Sequence, residues 1–233
     1  MGIKGLTCGL SAAALVFGAV GCEHLFHHDD DDDKNEVVIN FDGTAVGALP
    51  NDWKVAETAS KGKTAKWRVV EDKTAPSGKK ALYVKSGNSG HTFNLIIAEK
   101  MEYKDLEVEV KVKAVKGKQD QGGGPIWRVQ DADNYYVARW NPLEDNFRIY
   151  YVKNGKRRQI ASAKIKADPK KWHEIEIKHI GKKIIAEFDD KKIIEVESSV
   201  FSKAGKVGLW TKADASTKFD DFKIELDEEE DDD

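Results

Sequence analysis

Residues 122–162 read GGGPIWRVQDADNYYVARWNPLEDNFRIYYVKNGKRRQIAS. Three turn signals divide this stretch: Asp131-Ala132-Asp133-Asn134, Pro142-Leu143-Glu144-Asp145 and Asn154-Gly155. Asn-Gly between alternating residues is a strong hairpin signal. The stretch therefore predicts a meander of four short strands. Pairing them across the turns sets Gln130 opposite Tyr135, Asn141 opposite Asn146 and Lys153 opposite Lys156. Side chains alternate between the faces of a strand. One face then carries Trp127, Val129, Tyr136, Ala138, Trp140, Phe147, Ile149 and Ile160, a core face. The other carries Arg128, Gln130, Tyr135, Arg139, Asn141, Asn146, Arg148, Tyr150, Arg157 and Gln159.

In this register Arg139 stands directly opposite Arg148, and like charges so placed destabilise a sheet. An anion must lie between them, either a protein carboxylate or a ligand. A slip of one residue would exchange the faces. Only this register leaves a coherent apolar face. Other strands look different. Leu106, Val108, Val110 and Val112 alternate with Glu107, Glu109, Lys111 and Lys113, and Glu174 and Glu176 punctuate the strand after Trp172. Those are ordinary wet faces of mixed charge. The meander face instead holds side chains that hydrogen-bond and stack in planes.

The chain has 233 residues, 34% of them charged, with a net charge of -3. That balance argues against general nucleic-acid binding. Lys4, an uncharged run from Gly5 to Gly21 and then Cys22 predict a secretory signal over residues 1–21. Ala19-Val20-Gly21-Cys22 is similar to a bacterial lipobox, with Cys22 as the lipidated residue. Cys8 would leave with the signal, so no internal disulfide is expected. Glu23 after that cysteine suits an outer-membrane lipoprotein of a Gram-negative bacterium. Membrane contact would then run through the lipid anchor alone. Residues 22–35 form an acidic tether containing Asp29 to Asp33, and residues 227–233 an acidic tail. The span 36–226 reads as one all-β domain of about a dozen short strands with turn signals.

Several strings carry a family resemblance: Phe41-Asp42-Gly43 with Leu49-Pro50-Asn51-Asp52-Trp53, Gly122 to Arg128, Asn134 to Arg139, Asn141 to Asn146, Trp172-His173, and Gly205 to Thr211 with Phe219-Asp220-Asp221-Phe222. The chain resembles the concanavalin A-like lectin/glucanase group over residues 37–226. Within it, the chain looks most like the bacterial 3-keto-disaccharide hydrolase family and its family-16-like relatives. The resemblance implies a jelly-roll sandwich of two curved antiparallel sheets with carbohydrate on the concave one. It also implies that the meander belongs to that sheet, that Trp210 flanks the groove, and that Val37 to Phe41 pairs with Lys218 to Ile224. A calcium ion near the chain ends is implied too, and Asp42, Asp220 and Asp221 offer hard oxygen ligands for it. Asp220 and Asp221 should point to opposite faces.

The expected ligand is a glycan with acidic or keto groups. Arg128, Arg139 and Arg148 would bind its oxygens, Asn141 and Asn146 would fix its orientation, and Tyr135 and Tyr150 would stack on it. Catalysis stays open. Retaining glycosidases need paired carboxylates, yet the family-16 spacing occurs only as Glu225, Asp227 and Glu230, where the last strand runs into the tail. Cleavage beside a keto group needs one base instead, for which Glu144 and His91 are the candidates, and an electrophile, for which Arg128, Arg139 or Arg148 would serve. A structural or protein-binding module is the remaining alternative. Trp53, Trp67, Trp127, Trp140 and Trp172 read as core, His173 as packing and His179 as a surface residue at a strand end.

Overall fold

The computed structural model of the protein describes residues 36–60 and 64–226. The expected signal peptide, Cys22, the tether and the acidic tail lie outside the described residues. Fifteen strands follow in chain order: β1 (Glu36–Ile39), β2 (Trp53–Thr58), β3 (Lys66–Glu71), β4 (Lys80–Lys85), β5 (Phe93–Tyr103), β6 (Leu106–Lys116), β7 (Gly124–Asp131), β8 (Asn134–Asn141), β9 (Asn146–Lys153), β10 (Lys156–Lys164), β11 (His173–Ile180), β12 (Lys183–Phe188), β13 (Lys192–Glu197), β14 (Gly205–Lys212) and β15 (Ser216–Glu225). One sheet has eight strands, ordered β13-β12-β11-β6-β15-β4-β3, with β1 added beside β15. The other has seven, ordered β10-β9-β8-β7-β14-β5-β2. All pairings are antiparallel, and Val37 lies opposite Ile224 at the joined chain ends.

Period-two patterning builds both sheets. On β6, Leu106, Val108, Val110 and Val112 are fully buried, while the charged residues between them are half-buried. These side chains meet Trp127, Tyr136, Ala138, Trp140, Phe147 and Ile149 from the meander in one core between the sheets. Trp127 stacks on Tyr136 with ring centroids 5.5 Å apart. Removing an indole so fully enclosed costs about 3–5 kcal/mol. Asn154 and Gly155, with φ of 52° and 71°, form the tight turn that Asn-Gly predicts, and Lys153 pairs with Lys156 across it.

Three features depart from the simple pattern. β7 bulges: Trp127 pairs with Tyr136 and Asp131 with Asn134, so extra residues lie between. Arg128, at a φ of 46°, is the pivot. Val129 therefore turns away from the inter-sheet core and joins a second apolar cluster on the far face. His179 is not a surface residue. It is fully buried, and Nδ1 accepts a hydrogen bond from Trp127 Nε1 at 2.9 Å. Burial, with the Arg128 charge, drives its pKa down to about 3 and keeps the ring neutral. Trp172 lies outside the core, half-buried, with its Nε1 donating to Thr74 Oγ1 at 3.3 Å. His173 is packing, as expected, stacked on Phe188 at 5.3 Å.

Candidate functional site

The seven-stranded sheet curls strongly. β10 and β5 are five strand steps apart, about 24 Å if the sheet were flat. Yet the Arg157 guanidinium on β10 lies 5.2 Å from the ring centre of Phe93 on β5. Likewise the Tyr135 hydroxyl on β8 sits 2.8 Å from Thr58 Oγ1 on β2, at the opposite edge. The face turned away from the core is therefore concave, and aromatic and aliphatic side chains line it. Phe93, Leu95, Ile97, Ile126, Val129, Tyr135, Val137, Tyr150, Val152 and Trp210 form one cluster there.

Charged groups occupy the same face. Arg139 Nη2 donates to both Asp120 oxygens, at 2.9 and 2.8 Å, and to Glu144 Oε1 at 3.2 Å. Asp120 and Arg139 are each 1% exposed. Lys212 Nζ adds a contact to Asp120 at 3.4 Å. Burial pushes the Asp120 carboxyl up, against the pull of Arg139 and Lys212. The loop that delivers Asp120 is pinned by Asp214, which accepts the backbone N–H groups of Lys118, Gln119 and Asp120. Glu144 reaches further out. Its Oε2 accepts from Arg148 Nη1 at 2.9 Å and from Asn146 Nδ2 at 3.0 Å. Burial would raise the Glu144 carboxyl, but the Asn146 hydrogen bond and the Arg139 and Arg148 charges outweigh it and hold it below the usual range.

The structure thus brings together Arg139, Asn141, Asn146, Arg148, Tyr150 and Trp210 from the expected set. Arg148 and Glu144 form the open part, with side chains 29% and 41% exposed. Asn141 is fully buried and caps its turn, Oδ1 accepting from Leu143 N at 2.9 Å. Tyr135 and Trp210 are fully buried, joined by a hydrogen bond of 3.2 Å from the indole N–H to the phenol. Packed so, they underlie the face, and Tyr150, 4% exposed beneath the Arg157 guanidinium, likewise presents no open ring to a ligand, so the expected stacking residues are all covered. Arg128 is elsewhere. The bulge sends its guanidinium to the carbonyls of Lys104, Phe201 and Gly181 and to Asp105, where it ties loops together. His91 is exposed in the turn before β5. Asp120 had one signal in the sequence, the demand of two facing arginines for an anion, but spacing alone could not choose which carboxylate answers it.

The aspartates near the chain ends correct another expectation. β15 bulges between Asp220 and Lys223, with Asp221 at a φ of 45°. Asp220 and Asp221 therefore converge rather than diverge: Asp220 accepts from Ser77 N at 3.3 Å and Asp221 from Ser77 Oγ. Asp42 accepts from Lys79 N at 3.1 Å. A Cβ on Gly78 would lie 1.4 Å from Asp42 Oδ2, so glycine is required for this approach. Asp220 is fully buried, and among the described residues its Oδ1 has no hydrogen-bond partner. Burial and the nearby Asp221 and Asp42 charges push its carboxyl up to about 7. The orphaned oxygen suits a hard cation, yet Asp42, Asp220 and Asp221 do not bring three ligand oxygens within 4.8 Å of one another. A tighter acidic set, Glu109, Glu174 and Glu176 on the outer face of the eight-stranded sheet, has oxygens within 4.8 Å of one another. Lys111 pairs with Glu174 and Glu109 there.

No family model and no curated protein matches the chain. Solved structures do. The carbohydrate-binding module CBM66 from Bacillus subtilis matches with a TM-score of 0.62 at 21% identity, over 75% of this chain and 96% of that one. The cellulose-induced protein Cip1 matches with a TM-score of 0.56 at 12% identity, over 81% of this chain and 96% of that one. The Ca2+-bound exoplasmic/lumenal domain of VIP36 matches with a TM-score of 0.53 at 13% identity, over 84% and 92%. The chain has an all-β, concanavalin A-like jelly-roll fold. At these identities the likeness is one of fold.

Proposed function

We propose that the chain binds carbohydrate on the concave face of its seven-stranded sheet. The observation that carries this reading is the cluster of planar hydrogen-bonding groups at the open side of that face. Arg148, Glu144 and Lys212 stand at its open side, with Arg157 lying 4.3 Å over the Tyr150 ring. Sugars bind through planar hydrogen-bond networks, which such a set supplies. The fold shared with a carbohydrate-binding module supports the reading. Arg139 and Asp120 act beneath the ligand by holding the outer groups in place. An anchor at Cys22, which would keep the domain at the envelope of a Gram-negative outer membrane, belongs to the same proposal. So does a calcium ion held by Asp42, Asp220 and Asp221, which would relieve their mutual repulsion and fix the joined chain ends.

Hydrolysis of 3-keto-disaccharides, the activity the family resemblance implies, is the weaker reading. Glu144 is held below the usual carboxylate range by the Asn146 hydrogen bond and the Arg139 and Arg148 charges, which makes it a poor base. A glycan-array screen of the chain tests the proposal, with product analysis of every hit and Arg148→Ala as control. Binding that falls with the variant, without cleavage, supports it. Cleavage moves the protein to the hydrolases. No binding by the folded chain favours a structural or protein-binding module.

A further inference from the structure

Arg157 is the unsatisfied cation of the concave face. Its guanidinium lies over three rings, 4.3 Å from Tyr150, 5.2 Å from Phe93 and 5.8 Å from Trp210. Among the described residues it makes no hydrogen bond and no ion pair, and its Nη1 is buried without a partner. The residue is half-buried, and an N–H held out of water without a partner is costly. Ring stacking offsets part of that cost but leaves the in-plane N–H groups unused. The neighbouring carboxylates answer it only at a distance: the Asp120 charge favours the guanidinium without touching it. Asp120 is taken by Arg139 and Lys212, and Glu144 by Arg139, Arg148 and Asn146. Four cations on this face thus share two carboxylates, leaving an excess of positive charge. Arg139 Nε, a second guanidinium donor on the same face, is also buried and unpaired.

We propose that the concave site takes an acidic sugar and that the fork of Arg157 receives its carboxylate. This rests on the carbohydrate-binding reading above. A planar guanidinium pairs with a carboxylate through two parallel hydrogen bonds, which no neutral hydroxyl matches in strength. Tyr150 keeps the fork flat, so little side-chain freedom is lost when the ligand arrives. Burial already pulls the guanidinium pKa down, and an incoming carboxylate restores what burial removes.

Isothermal titration of the chain with uronate oligosaccharides tests the inference, alongside their methyl-esterified counterparts and neutral oligosaccharides. The uronate should bind roughly ten- to a hundredfold more tightly than its methyl ester, and more weakly as salt rises. Arg157→Gln should abolish that preference. Arg157→Lys, which keeps the charge and the fold but loses the fork, should keep only part of it. Equal affinity for acid and ester, or an unchanged preference in Arg157→Gln, overturns the inference and leaves Arg157 a stacking residue. Neutral sugars binding while uronates do not also overturns it, with the carbohydrate reading intact. If no sugar binds to the folded chain, both fall together.

Discussion

Arg139 and Arg148 stand directly opposite each other on β8 and β9, and one carboxylate holds both. Glu144 Oε1 accepts from Arg139 at 3.2 Å and Oε2 from Arg148 at 2.9 Å. Glu144 comes from the turn that joins the two strands, so the hairpin carries its own counter-ion. Asp120 adds a second anion below Arg139. The pair thus answers the repulsion that its register creates, and leaves the outer edge of Arg148 facing solvent.

Glu144→Gln keeps the shape of the bridge but removes its charge. The two arginines then face each other with Asp120 alone nearby. Because Glu144 is 41% exposed, solvent screens much of the loss. We expect destabilisation of about 0.5–1 kcal/mol, smaller at high salt, measured as a drop in the urea midpoint.

Arg139→Ala strands a buried carboxylate. Among the described residues, Asp120 then keeps Lys212 as its remaining ion pair. The expected cost is about 3–5 kcal/mol in chemical denaturation. Replacing both partners, Arg139→Met with Asp120→Leu, should recover most of it, since neither charge then needs a partner. If the single variant unfolds no more easily than the parent, the pair is not a buried network.

Three carboxyls are pushed up to about 7: Glu109 by burial and Glu174, Glu176 by burial and its acidic neighbours, and Asp220 by burial and Asp221. Each folded-state pKa lies above its ordinary value. Their contribution is therefore fully present below about pH 4 and is lost as pH rises through about 7. In a chelator, the melting temperature should fall between pH 5 and pH 8. A flat or rising profile across that window would contradict these assignments.

Calcium should reverse the Asp220 part of that trend, because it needs the ionised carboxylates. At a hundredfold excess over its Kd, it should add about 2.7 kcal/mol to stability. Asp220→Asn should remove the effect while the apo protein stays folded. Calorimetric unfolding with and without calcium reads both.

Most of the fold was legible in period-two patterning. Leu106 to Val112 and the meander's apolar face went where alternation sends them, and Asn154-Gly155 set its hairpin. The misses share one cause. Bulges at Arg128 and Asp221 each place a residue with a side chain at positive φ, a conformation no alternation rule signals. One bulge took Arg128 out of the site and moved Val129 across the sheet; the other brought Asp220 and Asp221 together. The curl of the seven-stranded sheet is likewise a sum of small twists over many strands. It buried Tyr135 and Trp210 and brought Arg157 from a sheet edge into the centre of the concave face.

The most direct test of the whole account is a heteronuclear NMR titration of the chain with a glycan from the array, following arginine side-chain and tryptophan indole signals. Arg148 and Arg157 Nε–H signals should move first and furthest, with Trp210 responding beneath them. Shifts confined to the outer face of the eight-stranded sheet, around Glu109 and Glu176, would contradict it.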